Sequence, residues 1–485
     1  MRIKWINFHH NLFKLSFVKN SIWGIVSNIV QNIFYSIFFV IIARKYSIID
    51  FSNYILANTL YGFVLSFSSL GLGQWFIREL LTNDNKELLI YKFLKFQFLI
   101  GIFFYIFCII LVYSLYQSPI LRYITLLLGL NIIFDNIIYV IKYLNIANSK
   151  QKKTSLILII ESFLKLLIGL TLFYYHFNLI QLSFILILLR FFTLNLFFKL
   201  GTSIRINIYT LYRTNIDFNT IKNIIFSNWP FIIIGSISVI YWRIGNIIIS
   251  KFLTSTDVTY YEISYKLFTM AEIIPVIVSS TIFPIFIKKY NQNPDKAIEL
   301  YKVMFYLYAL YGVAVYTFVV TFSDILIPFL FGIKYISASI YSKEMFLTML
   351  VFPTVLLQAN LLIAMKMEKI DMWLNIFSLF VNLICSLFGI LYFRSLSVIN
   401  YSIFTSLLLF HIFQDVILYK KHIIKFNSII ISYISISLIV SFYFLLTLLT
   451  FKYVLFFLFW IFILIIFILF RSTFISKILL LYKSI

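Results

Sequence analysis

Long apolar runs alternate with short polar turns along nearly the whole chain. Fourteen runs reach the length of about 20 apolar residues that crosses a hydrocarbon core. They fall at 22–43, 54–77, 93–115, 119–141, 154–176, 179–200, 226–250, 262–287, 302–323, 343–365, 370–393, 397–419, 427–450 and 453–470. Each predicts a helix, because a helix satisfies its own backbone groups where there is no water. The segments between them are too short for a soluble domain. The longest, Gly201 to Ile225, is polar and basic.

The pattern repeats. Ser27-Asn28 returns as Ser227-Asn228, and Asp50-Phe51-Ser52-Asn53-Tyr54 returns as Asp257-Val258-Thr259-Tyr260-Tyr261. Ser69 to Arg78 aligns with Ser279 to Lys288. The offset covers six spans, so two copies account for twelve. The expected organisation is an N-terminal six-helix lobe at 1–200, a cytoplasmic linker at 201–225, a C-terminal six-helix lobe at 226–425 and two additional helices at 426–485. Parallel repeats of this kind are a recurring transporter plan.

Composition narrows the class. Of 485 residues, 62% are hydrophobic and 12% charged, which makes this an all-α polytopic membrane protein. The net charge of +23 does not point to nucleic acid, since the basic residues lie in turns between spans rather than on one soluble face. With the N-terminus placed inside, twenty-eight of the forty basic residues fall in cytoplasmic segments and nine in outside turns. That asymmetry follows the positive-inside rule and puts both termini in the cytoplasm. The remaining three, Lys165, Arg190 and Arg243, lie well inside spans, and basic residues within a few positions of a span's end are counted with the segment they border. Met1 to Asn20 has no small-residue cleavage site, so it is not expected to be a removable signal peptide. Cys108 and Cys385 sit inside apolar runs as packing residues, and no disulfide is inferred from them.

No metal-ligand spacing, phosphate-binding glycine loop or nucleophile triad occurs, and no cofactor is expected. The chemistry therefore rests on ionisable groups in the spans: Asp135, Glu161, Lys165, Arg190, Arg243, Glu272 and Asp415. Each costs at least ~2.5 kcal/mol at a helix centre and needs a partner or water. Glu161 and Lys165 are four apart on one helix face, which predicts a local ion pair. Asp415, near Lys420, reads as a rim pair. His411, the one histidine within a span, is expected to hydrogen-bond a neighbouring helix. Asp135 lies in a polar patch with Asn131 and Asn136. Arg190 and Arg243 have no acid near them in sequence, and function or structural pairing suits either. An arginine in a watery cavity suits phosphate, through paired hydrogen bonds.

Several stretches resemble one family. They are Arg44-Lys45-Tyr46 with Asp50 to Tyr54; Ser69-Leu70-Gly71-Leu72-Gly73 with Arg78-Glu79; Pro230, Tyr261, Glu262 and Pro284; Ile327-Pro328-Phe329-Leu330-Phe331-Gly332 with Tyr335; and Asn382 with Gly389. Over residues 15–420 the chain resembles the polysaccharide and O-antigen flippases of the multidrug/oligosaccharidyl-lipid/polysaccharide exporter superfamily. The resemblance implies two six-helix lobes around a central cavity in the bacterial inner membrane. It implies transfer of an undecaprenyl-diphosphate-linked oligosaccharide between leaflets, among membrane lipids and alongside a polysaccharide polymerase and chain-length regulator. It makes Arg243, Arg44 and Arg78 the substrate-binding residues to examine; the intramembrane Arg190 joins them as a cavity candidate, and the intramembrane acids Asp135, Glu272 and Glu161 are the ion-coupling candidates. The chain departs from the family pattern in the seventh span, where Arg243 stands in place of a frequent acid. The alternative readings are a cation-coupled drug exporter of the same superfamily, whose cavity calls for acidic groups, and a membrane polysaccharide polymerase, which needs larger outside loops.

The topology is directly testable. Reporter fusions after Lys153, Lys222, Lys302 and Lys425 are expected to report the cytoplasm, and an outside signal from any one of them breaks the fourteen-span scheme.

Overall fold

The computed structural model describes residues 16–82, 85–202, 208–215, 222, 236–237, 239–447 and 451–469. They are helical, with no strand among them. Two compact units are formed, 1–250 and 251–485.

The first unit contains α1 (Ser16–Lys45), α2 (Ile48–Ser68), α3 (Gly73–Thr82), α4 (Lys86–Leu115), α5 (Pro119–Gly129), α6 (Asn131–Ala147), α7 (Gln151–Thr171), α8 (Leu179–Leu196) and α9 (Ile208–Arg213). A further helix, α10, occupies 239–252. α1 packs along α7, α4 along α6, and α2 along α5. The second unit contains α11 (Ser255–Gln292), α12 (Pro294–Phe331), α13 (Ala338–Met345), α14 (Phe352–Ala364), α15 (Glu368–Phe393), α16 (Leu396–Lys420), α17 (Phe426–Thr447) and α18 (Lys452–Leu469).

Among the described residues, eleven of the fourteen expected spans are helical segments long and apolar enough to cross a membrane. The other three differ for separate reasons. The second run is broken. The seventh lies partly outside the described residues. The fourteenth is α18, whose apolar stretch Lys452–Ile465 is shorter than a span. The linker at 201–225 also lies largely outside the described residues. The described part of the seventh run packs in the first unit rather than with the repeat it opens. Ser236 donates to the Ser66 carbonyl at 3.2 Å, and Asn246 donates to Thr59 Oγ1 at 3.3 Å.

The repeated acidic motif is a helix start. Ser47 caps α2: its Oγ donates to Asp50 and accepts from the Asp50 amide. Thr254 caps α11 in the same way, and Asp257 also accepts from the Thr254 amide, which closes a capping box. The sequence repeat thus marks the same physical event twice, an acidic first turn on a newly entered span.

The second shared stretch has diverged. In the second unit, α11 runs unbroken through Pro275 and Pro284. In the first unit, the helix stops at Ser68, and Leu70 and Gly71 take φ of 52° and 57°. A glycine accepts that conformation readily and a leucine only with strain. Irregular backbone at membrane depth persists only where protein satisfies it. Here Gln97 donates to the Ser69 carbonyl at 3.4 Å, Ser68 Oγ donates to Asn136 at 3.0 Å, and the Gly73 amide donates to the Tyr139 hydroxyl at 2.6 Å. Phe76, stacked on Phe93 at 4.4 Å between ring centres, anchors α3 beyond the break.

In the second unit, α12 ends where Gly332 adopts φ 105°, returning its amide to the Pro328 carbonyl. Any side chain there meets the left-handed penalty. The last two helices face outward along most of their length and are tied to α12 by polar contacts. Tyr443 meets Thr321, Trp460 donates to Thr317 at 3.1 Å, and Lys452 pairs with Asp324 at 3.4 Å.

The break in the first unit predicts a stability effect. Tyr139→Phe strands the Gly73 amide and is expected to cost about 1–3 kcal/mol, whereas Gln97→Leu leaves the Ser69 carbonyl with the Leu72 amide alone, at 3.4 Å, and is expected to cost less. Melting of the detergent-purified variants checks this: both are expected to melt lower than the parent, and unchanged melting refutes the account of how the break is sustained.

Candidate functional site

Three of the seven site residues singled out from the sequence meet in one place. Arg190, on α8, donates Nε to Asp135 Oδ1 of α6 at 2.6 Å, and its Nη2 contacts the same oxygen. Its Nη1 reaches both oxygens of Glu161 on α7, at 2.6 and 2.5 Å. Tyr61 of α2 donates its hydroxyl to the other Asp135 oxygen. Four helices therefore converge on one guanidinium. Both carboxylates are buried, and the arginine side chain keeps 19% of its surface.

The planar fork of arginine accounts for this arrangement, since a single ammonium cannot hold two separate carboxylates with directed pairs of hydrogen bonds. The expected Glu161–Lys165 pair does not form. Glu161 is taken by Arg190, while the Lys165 ammonium lies over the rings of Tyr35 and Phe38 at 4.9 and 5.0 Å. A desolvated cation on an aromatic face is a favourable alternative to an ion pair. Counted together, two carboxylates and two cations leave this buried site without net charge.

The remaining sites lie apart from it. Arg44 is exposed at the end of α1. Arg78 is exposed on α3, with Glu79 at 3.6 Å, a pair of the solvent-exposed kind that contributes little. Arg243 lies part-buried on α10, next to Tyr241 and Trp242, whose rings meet edge to face. Glu272 sits part-buried in α11, three residues before Pro275. Among the described residues Glu272 makes no hydrogen bond or ion pair through its carboxylate. Asp135, Glu161 and Arg190 thus form one buried cluster, with Lys165 on the same helix as Glu161, and the other candidates lie elsewhere.

A second buried polar network was missed in the sequence. Asp415 does not pair with Lys420 at the rim. It turns inward, where Gln358 of α14 donates to Oδ1 at 2.7 Å and Tyr433 of α17 donates to Oδ2 at 2.9 Å. Residues five apart on a helix do not share a face, and Asp415 is only 4% exposed. His411 does find its partner on a neighbouring helix, with Nδ1 at 2.5 Å from the Tyr433 hydroxyl and 3.3 Å from Asp415. Gln358 also donates to the Tyr301 hydroxyl at 3.1 Å. The legible signal was the spacing of His411 and Asp415, one turn apart on one face. Their partners come from spans that sequence does not link to them. Among the described residues, no group of three or more His, Cys, Asp or Glu is placed to hold a metal ion.

Removing the central cation tests what the first cluster does. Arg190→Leu leaves two buried carboxylates unbalanced and is expected to cost about 3–5 kcal/mol, seen as lower membrane yield and melting temperature. Adding Asp135→Asn and Glu161→Gln to it is expected to restore part of that loss. A single variant that melts like the parent refutes the structural role.

Solved structures share this fold. Lipid II flippase MurJ, in an inward closed conformation, matches with a TM-score of 0.68 at 12% identity, over 94% of this chain and 99% of that one. A multidrug resistance MATE family transporter of the MOP superfamily, facing inward, matches with a TM-score of 0.66 at 10% identity, over 80% and 94%. A MOP superfamily transporter from Pyrococcus furiosus matches with a TM-score of 0.52 at 12% identity, over 84% and 96%. Sequence comparison with curated proteins finds no match. The profile of the polysaccharide biosynthesis protein family matches residues 41–340, more than half of the chain, and the protein belongs to that family, as the motif resemblance implied.

Proposed function

We propose that this protein is a flippase that carries an oligosaccharide on undecaprenyl diphosphate from the inner to the outer leaflet of the bacterial inner membrane, supplying an O-antigen, capsule or similar surface glycan. The observation that carries this reading is the pairing of two findings: membership in a polysaccharide biosynthesis family, and a fold shared with membrane transporters. A protein of glycan synthesis that is built as a transporter has as its natural cargo the glycan on its lipid carrier. On this reading the two compact units are the lobes of an alternating-access transporter.

The ionisable residues then divide by role. Arg190 is committed to Asp135 and Glu161, which favours structure over cargo binding for all three. Arg243 is part-buried on a helix with polar and aromatic neighbours, and a guanidinium there can hold two diphosphate oxygens at once. Arg44 and Arg78, exposed near helix ends, suit capture of the same charged group from the interface. Glu272, without a hydrogen bond among the described residues and three residues before Pro275, is the carboxylate best placed to bind a coupling cation or proton.

Paired measurements of surface glycan and membrane protein level test the assignment. Arg243→Ala and Glu272→Gln are expected to lower surface glycan about tenfold at unchanged protein level, the effect of one lost charged contact. Arg243→Lys is expected to restore only part, because an ammonium lacks the fork. Normal glycan at normal protein level in Arg243→Ala removes that residue from the cargo site.

A further inference from the structure

A cavity of about 120 Å³ opens in the second unit where α12 begins, α16 ends and α17 begins. Its walls carry charges of both signs. Lys302 and Lys425 line it with Ser428, and Asp415 lines it with the rings of Tyr301 and Phe305. The lysines are exposed, whereas Asp415 and Tyr301 are buried. Lys425 immediately precedes α17 and Ser428 is in its first turn, so both sit at the mouth. Asp415 lies five residues inside the end of α16, about 7 Å deeper at 1.5 Å per residue. The cavity is thus cationic at its mouth and anionic and aromatic at its floor.

From this ordering we propose that the cavity binds a phosphate ester bearing a primary amine, supplied by the bilayer as the headgroup of a phosphoethanolamine lipid. The phosphate sits at the mouth between Lys302, Lys425 and the Ser428 hydroxyl. Basic pockets between membrane helices are known to hold lipid headgroups in this way. The two-carbon arm points inward, and its ammonium meets Asp415 and the faces of Tyr301 and Phe305, which stand 5.9 Å apart between ring centres. Asp415 already accepts from Gln358 and Tyr433, yet a carboxylate has about four acceptor positions, so it can receive the ammonium too. A purely anionic headgroup would bring nothing to the floor carboxylate. A purely cationic one would meet two lysines at the mouth. A choline headgroup has no N–H to donate. Because Tyr433 ties Asp415 to α17, an occupied cavity would also brace the C-terminal helix pair against α16.

The test uses the full-length protein purified in detergent and supplied with defined lipids, followed by native mass spectrometry and melting. Phosphatidylethanolamine is expected to be retained and to raise the melting temperature, with phosphatidylcholine and phosphatidylglycerol retained about tenfold less, as loss of a charged contact implies. Lys302→Ala with Lys425→Ala is expected to abolish the preference. Ser428→Leu, at the exposed mouth, is expected to do the same without touching the buried network, which covers the case where the double lysine variant fails to fold. Equal retention of the three lipids, a preference for phosphatidylglycerol, or an unchanged preference in the double lysine variant overturns the proposal. Water-soluble glycerophosphoethanolamine is expected to leave melting unchanged at the lipid's concentration; stabilisation by it, with none by the lipid, overturns the bilayer as the source.

Discussion

Arg190 is the residue on which the first unit turns. A charged side chain in the hydrocarbon is costly, and a lone carboxylate is no cheaper. Each becomes tolerable only by meeting the other, with the remaining hydrogen-bonding positions filled. Arg190 does this for two acids on two helices, and Tyr61 adds a third helix through Asp135. Hydrophobic burial gives little direction inside a bilayer, since lipid tails are as apolar as leucine. A guanidinium whose fork is filled by two carboxylates supplies the missing direction, because only one arrangement of α2, α6, α7 and α8 satisfies it. Comparable buried pairs add little net stability over an apolar replacement, so the gain lies in uniqueness of packing.

The second unit solves the same problem without arginine or lysine at the carboxylate. Asp415 is held by an amide, a phenol and an imidazole, with no arginine or lysine among its direct hydrogen-bond partners. Three helices are joined through it: α14 by Gln358, α16 by Asp415 itself and α17 by Tyr433. The cross-link draws α17 in at one end, while Tyr443 and Trp460 attach the C-terminal pair to α12 further along. Related sequence halves therefore carry different polar cores. What they share is the helix start, in Ser47 with Asp50 and Thr254 with Asp257.

How much of this was legible follows from what each feature depends on. Spans are local: apolar length alone predicts them, and among the described residues eleven of the fourteen coincide with helical segments long enough to cross a membrane, though with different bounds. The caps are local too, which is why the repeat was visible through Asp50 and Asp257. The break after Ser68 was not readable, because the matching stretch in the other half stays helical through a proline. What permits the break is Gln97 and Tyr139, residues far along the chain. Pairing was the least legible. Glu161 has a lysine four residues away and an arginine twenty-nine away, and proximity in sequence favoured the lysine. Space favoured the arginine, because two acids needed a fork and Lys165 had two aromatic rings to rest on.

The fold persists at 10–12% identity to solved transporters, and the reason is physical. A bilayer demands helices of fixed minimum length and satisfied backbone, conditions that many sequences meet equally well. Such a likeness fixes architecture and leaves cargo open. Cargo is decided by those ionisable groups that the packing has not already used. Asp135, Glu161 and Arg190 are already paired with one another, and changing any of them breaks that pairing. Glu272, whose carboxylate makes no hydrogen bond or ion pair among the described residues, can change without dismantling that cluster. Specificity within a shared fold is therefore to be sought outside the conspicuous buried cluster.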